Sequence, residues 1–134
     1  MDVVTKKIYI TWETIENLVL DLSKQIPKDI KFIHGLSRGG LIPAVMLSHI
    51  TGIPFRKSPA FCEPGEVLVV DDICDSGETL QTYKDYPTAV LHHKPHTACM
   101  EPTMYAKLHE GDEWIIYPWE REDSETIQDY KLDK

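Results

Sequence analysis

The stretch VLVVDDICDSGETL, residues 67–80, decides the fold. Val67, Leu68, Val69 and Val70 form an unbroken apolar run, the signature of a strand buried on both faces, predicted here over 67–71. The run meets Asp71 and Asp72, and a third aspartate opens the turn Asp75-Ser76-Gly77-Glu78-Thr79. Two like charges side by side repel, so a cationic or hydroxyl-rich group is expected between them. Consecutive backbone N–H groups at a helix start attract an anion. Gly77 lets that backbone come close, and the Ser76 and Thr79 hydroxyls can donate further hydrogen bonds. The turn can therefore hold a phosphate without a lysine. It is not a Walker loop, because no Gly-Lys-[Ser/Thr] is present. Carboxylates beside a phosphate site suit sugar hydroxyls or a magnesium ion with its waters.

Outward from this stretch, the pattern alternates between strand and helix. Residues 7–11 and 31–36 read as strands, 89–92 as another and 113–117 as a last one. Helices are predicted over 12–25, with Ile15, Leu18, Val19 and Leu22 at helical spacing, and from about 39 to 50. Thr11 can cap the first, and Pro27 ends it. Residues 78–84 suit one or two helical turns, and 56–65 are turn-rich. Such alternation implies a Rossmann-like parallel sheet flanked by helices, an α/β fold, with ligands at the carboxyl ends of the strands. A second unusual loop lies at such an end: Ser37-Arg38-Gly39-Gly40. A hydroxyl, a guanidinium and two glycines make another anion site. Two anion sites with carboxylates between them fit a pentose carrying a 5′-phosphate and a 1-pyrophosphate.

The bulk properties bound the reading. The chain has 134 residues, enough for one core, and a formal net charge of −8, which argues against gripping nucleic acid through a basic surface. No apolar run approaches the roughly 20 residues of a membrane helix. The segment MDVVTKK lacks the apolar core of a secretory signal. Cys62, Cys74 and Cys99 are odd in number and widely spaced, which suggests neither a disulfide framework nor a Cys-x-x-Cys site. The expected compartment is a reducing cytoplasm.

Residues 67–80 resemble the PRPP-binding motif of type I phosphoribosyltransferases: apolar strand, two acids, then D-[ST]-G-x-T. YITWETIENLVLDL, IHGLSRGGLIPAVMLSHITGIP and WIIYPWE resemble, in order, xanthine-guanine-type purine phosphoribosyltransferases. The resemblance implies a type I phosphoribosyltransferase fold in one domain, 1–120, with a small hood from about 93–119 and a charged tail, 121–134. It implies transfer of a 5-phosphoribosyl group from PRPP to guanine, xanthine or hypoxanthine, with Mg²⁺ as cofactor. By the same resemblance Ser76, Gly77, Glu78 and Thr79 hold the 5′-phosphate. Asp71 and Asp72 meet the ribose hydroxyls or magnesium. Ser37, Arg38 and Gly39 receive the pyrophosphate, in a loop that in this family often holds a non-proline cis peptide. Asp75 shuttles the purine N7 proton, Trp114 stacks on the base, the Ile115 backbone reads its exocyclic edge, and Lys94 donates to the 6-oxo group. A homodimer or homotetramer is expected. The sequence departs from its relatives at 56–65, which is too short for their closing loop.

Other readings remain beside this one. The alternative function is a non-catalytic PRPP- or nucleotide-binding regulatory module on the same fold. A phosphatase using Asp71 or Asp72 as nucleophile fits the turn poorly. His92, His93 and His96 could suggest zinc, but adjacent strand histidines point to opposite faces. Trp12 and Trp119 read as core or subunit contacts, and Cys74 as a small buried filler.

Overall fold

The computed structural model describes residues 6–120. Strand β1 (Lys7–Tyr9) leads into helix α1 (Trp12–Ser23). The Thr11 hydroxyl caps α1 by accepting from the Thr14 amide at 3.1 Å. Ile15, Leu18, Val19 and Leu22 are its buried stripe, as their spacing requires. Strand β2 (Phe32–Gly35) is followed by helix α2 (Leu41–Thr51). Helix α2 ends at Gly52, whose left-handed φ of 78° suits the residue. Strand β3 (Val67–Cys74), one helical turn α3 (Glu78–Gln81), and strands β4 (Thr88–His93), β5 (Met104–Leu108) and β6 (Trp114–Ile116) complete the order.

The main sheet has the order β2-β3-β4-β5, and every pair is parallel. A separate parallel pair, β1-β6, joins segments from opposite ends of the described chain. Helices α1 and α2 pack against one face of the main sheet, where Leu68, Val70, Ala89 and Leu91 meet Ile15, Leu22 and Leu47. Val67, Val69 and Val90 face the other way, toward Leu36 and Leu80. Alternate residues of β3 thus serve two cores, which is why its sequence is continuously apolar. The carboxyl ends of all four strands share one edge of the sheet, and the motif loops sit there.

Several boundaries differ from the sequence reading. Strand β3 does not stop at Asp71 but pairs on through Ile73↔His92 and Cys74↔His93. The acids therefore lie within the ladder, because backbone pairing with β4 outlasts the apolar run. The helix expected over 78–84 closes after Gln81. Strand β5 was not anticipated. It is an outer strand whose Lys107 and Leu108 are exposed, so its side chains carry only a weak alternation. Within the span 93–119 assigned to a hood, β5 belongs to the main sheet. The expected tail, 121–134, and residues 1–5 lie outside the described residues. Among the described residues no helix is long and apolar enough to cross a membrane.

Candidate active site

Strand β3 delivers Asp71 and Asp72 to the sheet edge on consecutive residues. The Asp72 amide donates to Asp71 Oδ1 at 2.9 Å, and the Ile73 amide donates to Asp72 Oδ1 at 2.8 Å. Asp71 is 4% exposed. Burial first, and then the neighbouring Asp72 charge, hold the Asp71 carboxyl well above the usual carboxylate range. Burial also raises Asp72, against the hydrogen bonds that favour its ionised form. Immediately beyond, Gly77 takes a left-handed φ of 82°, and the Ser76 hydroxyl accepts from the Glu78 amide at 3.3 Å. That glycine turns the chain sharply from strand into α3.

The Ser37-Arg38-Gly39-Gly40 loop lies against this edge. The Leu36 amide donates to the Val70 carbonyl at 2.9 Å, fixing the loop beside β3. The Ser37–Arg38 peptide is cis. A Cβ at Gly39 would collide with the Asp72 carboxylate, so only glycine permits this close approach. The two loops identified from sequence are thus neighbours, with Asp72 between them.

A cavity of about 380 Å³ opens along residues 71–80 and reaches Lys94, Thr97, Trp114, Ile115, Tyr117 and Glu120. Ser37, Arg38 and Gly39 are not part of its wall. Lys94 is 5% exposed, and its Nζ donates to the Glu113 carbonyl at 3.0 Å and stands 3.8 Å from Asp75 Oδ2. Trp114 is 41% exposed, leaving ring surface open at the cavity. Ile115 is buried and pairs in register with Ile8 of β1. Tyr117, in the cavity wall, lies parallel to Trp119 at 4.9 Å, and its hydroxyl donates to the Asp72 carbonyl at 3.1 Å. His92 Nδ1 is 2.8 Å from the same hydroxyl. With the Tyr117 proton given to Asp72, the His92 nitrogen is the donor in that pair.

Five of the cavity residues were given no role from sequence: Ile73, Leu80, Thr97, Tyr117 and Glu120. Ile73 and Leu80 lie within 67–80, and Tyr117 and Glu120 within the WIIYPWE ending, whereas Thr97 carries no local signal. The three histidines diverge. His92 faces Tyr117 and His109, His93 faces Tyr105, and His96 pairs with Asp112 at 3.2 Å. Among the described residues no group of three or more His, Cys, Asp or Glu side chains could hold a metal ion. Cys74 is buried, which pushes its thiol up to about 11. Trp119 packs on the core, while Trp12 is 54% exposed with its ring 5.9 Å away, so Trp12 is not a core residue.

No family model matches the chain. The xanthine-guanine phosphoribosyltransferase of Vibrio atlanticus is 30% identical over 145 residues, covering 87% of this chain and 90% of that protein. The Vibrio parahaemolyticus enzyme of the same name is 29% identical over 144 residues, with the same coverage. Among solved structures, a purine phosphoribosyltransferase from Pyrococcus horikoshii aligns with a TM-score of 0.75 at 28% identity. It covers 90% of this chain and 99% of that one. The Helicobacter pylori xanthine-guanine-hypoxanthine phosphoribosyltransferase shares the fold, with a TM-score of 0.71 at 22% identity over 84% of this chain and 92% of that one. Identity that runs nearly end to end through relatives of one name, on a shared parallel-sheet scaffold, places this chain in the xanthine-guanine phosphoribosyltransferase family and makes it a phosphoribosyltransferase.

Proposed function

We propose that the chain transfers the 5-phosphoribosyl group of PRPP to a 6-oxopurine, with guanine, xanthine and hypoxanthine as the candidate bases, giving a nucleoside monophosphate and pyrophosphate. One observation carries this reading: a single cavity brings the Asp75–Thr79 turn, the acidic pair, Lys94 and Trp114 together from three separate parts of the chain. In this reading the amides of Ser76, Gly77, Glu78 and Thr79 hold the 5′-phosphate. Asp71 and Asp72 tether the ribose hydroxyls. Ser37, Arg38 and Gly39 receive the pyrophosphate from the neighbouring loop. The base stacks on Trp114, is read by the Ile115 backbone, and accepts from Lys94 at its 6-oxo group.

The donor set at the acidic pair suits magnesium. It offers only carboxylate oxygens, and Mg²⁺ is held by one or two carboxylates together with water and substrate phosphates. Two adjoining acids, both held above the usual carboxylate range, would also gain from a cation beside them. Asp71 and Asp72 would hold the ion, which would supply positive charge to stabilise the leaving pyrophosphate.

The chemistry assigned to the chain follows from charge. Breaking the C1–O bond leaves negative charge on pyrophosphate, which Arg38 and the amides of its loop stabilise. Asp75 takes the proton from the purine ring nitrogen as the base attacks C1. Holding donor and base in line supplies much of the remaining acceleration. The test is a pyrophosphate-release assay over a panel of purines and pyrimidines, with and without Mg²⁺. Turnover with 6-oxopurines is expected. Failure with every purine overturns the reading.

A further inference from the structure

The segment leaving β4, residues 94–100, folds back over the turn that opens with Asp75. Two backbone anchors hold it there. The Lys94 amide donates to the Cys74 carbonyl at 2.9 Å, and the Cys99 amide donates to the Ser76 carbonyl at 2.8 Å. Between these anchors the Thr97 hydroxyl meets Asp75. Its Oγ1 is 2.7 Å from Oδ1 and 2.9 Å from the Asp75 carbonyl oxygen. A hydroxyl has one proton to give, and the shorter, charge-assisted bond to the carboxylate takes it while Asp75 is ionised. On the other side of the carboxylate, Lys94 Nζ stands 3.8 Å from Oδ2. The two oxygens therefore have different neighbours. Oδ1 is held by a neutral donor on a pinned segment, and Oδ2 lies toward the ammonium group assigned to the base.

We propose that Thr97 is a positioning residue for phosphoribosyl transfer: its hydroxyl pins Oδ1 of Asp75, so that Oδ2 is the oxygen that receives the purine proton. The inference rests on the role given to Asp75 above. In the step, the purine N–H bond breaks, its electron pair stays on the ring, and the proton bonds to Oδ2. The attacking ring nitrogen bonds to C1 as the C1–O bond breaks and its pair leaves with pyrophosphate. Thr97 loses no proton. Its hydroxyl has the Asp75 carbonyl as a second acceptor, so it stays satisfied when the carboxylate becomes neutral. The side chain is exposed, and water competes for its bond. The two backbone anchors counter that competition by fixing where the hydroxyl sits.

Thr97→Val keeps the shape and removes the donor; Thr97→Ser keeps the donor. A carboxylate misplaced by about 1 Å can cost roughly 100-fold in rate. For Thr97→Val we expect kcat to fall roughly 10- to 100-fold, with KM for PRPP and base within about twofold. Thr97→Ser should recover kcat to within about threefold of the original. A crystal structure of the valine variant should show the Asp75 carboxylate rotated or displaced. A valine variant with undiminished kcat, a serine variant no better than valine, or an unmoved carboxylate overturns the proposal. Asp75→Asn separates the two readings. If it leaves turnover intact, the role of Asp75 falls, and that of Thr97 with it. If it abolishes turnover while Thr97→Val does not lower it, only the Thr97 proposal falls.

Discussion

Asp75 and Gly77 stand two residues apart and make opposite demands on the same turn. Asp75 must present a carboxylate, so Asp75→Asn, which keeps the shape but cannot take a proton, isolates the chemistry. Proton transfer by a placed side chain contributes roughly 100- to 10,000-fold, so kcat should fall at least 100-fold. PRPP affinity by calorimetry should change little, because the phosphate contacts assigned to Ser76 and Thr79 do not involve this carboxylate. Gly77 must supply a backbone that other residues resist. Its φ is 82°, and an added Cβ would lie 3.1 Å from the Cys99 amide nitrogen. A left-handed residue with a side chain costs about 1–2 kcal/mol. Gly77→Ala should therefore lower the unfolding free energy, read from urea denaturation, by about 1–2 kcal/mol and weaken PRPP binding together. Loss of stability with PRPP affinity intact would show that the turn does not hold the phosphate.

Among the elements, β3 couples stability to the site, since the strand that crosses both cores also carries the acids. Leu68 is fully buried against the helical layer. Leu68→Ala should cost about 2–5 kcal/mol, read from denaturant unfolding, because the packed sheet and helices close the gap only in part. A cost below about 1 kcal/mol would mean that this face is not tightly packed. The same strand shows what the sequence makes legible. Val67 to Val70 announce β3, and the stripe from Ile15 to Leu22 announces α1, because burial on fixed faces forces a period into the residues. Strand β5 escapes this logic: it lies at the sheet margin, and Lys107 and Leu108 face solvent. The extension of β3 through Asp72 to Cys74 escapes it too, since ladder hydrogen bonds are made by backbone and leave no mark in side-chain pattern. At the site, the contiguous residues 71–79 were readable as a unit. Thr97 was not, because nothing but the return of residues 94–100 brings its hydroxyl to Asp75.

For the molecule as a whole, two buried ionisable groups pull stability in opposite directions with pH. Burial first, and then the positive charges of His109, Lys107 and Lys94, depress His92 to about 4. Unfolded, it titrates near 6.5. Its contribution is complete above about pH 6.5 and is lost as pH falls toward 4, a change of about 3 kcal/mol. His92→Gln should flatten the fall in stability across that window; an unchanged slope would show that His92 does not drive it. Asp71 acts in the reverse sense. Its folded pKa is raised, so its contribution is complete below the unfolded value near 4 and declines as pH rises toward the folded one. At neutral pH the buried Asp71 carboxyl therefore works against the fold. A diol or a hydrated cation that requires ionised carboxylates reverses that penalty, because it binds the native state in the form that burial disfavours. The rise in melting temperature caused by PRPP with Mg²⁺ should accordingly be larger at pH 7.5 than at pH 5.5, measured at fixed ligand excess. If the rise is equal at both, or larger under acid conditions, then the carboxylates of Asp71 and Asp72 are not what the ligand engages.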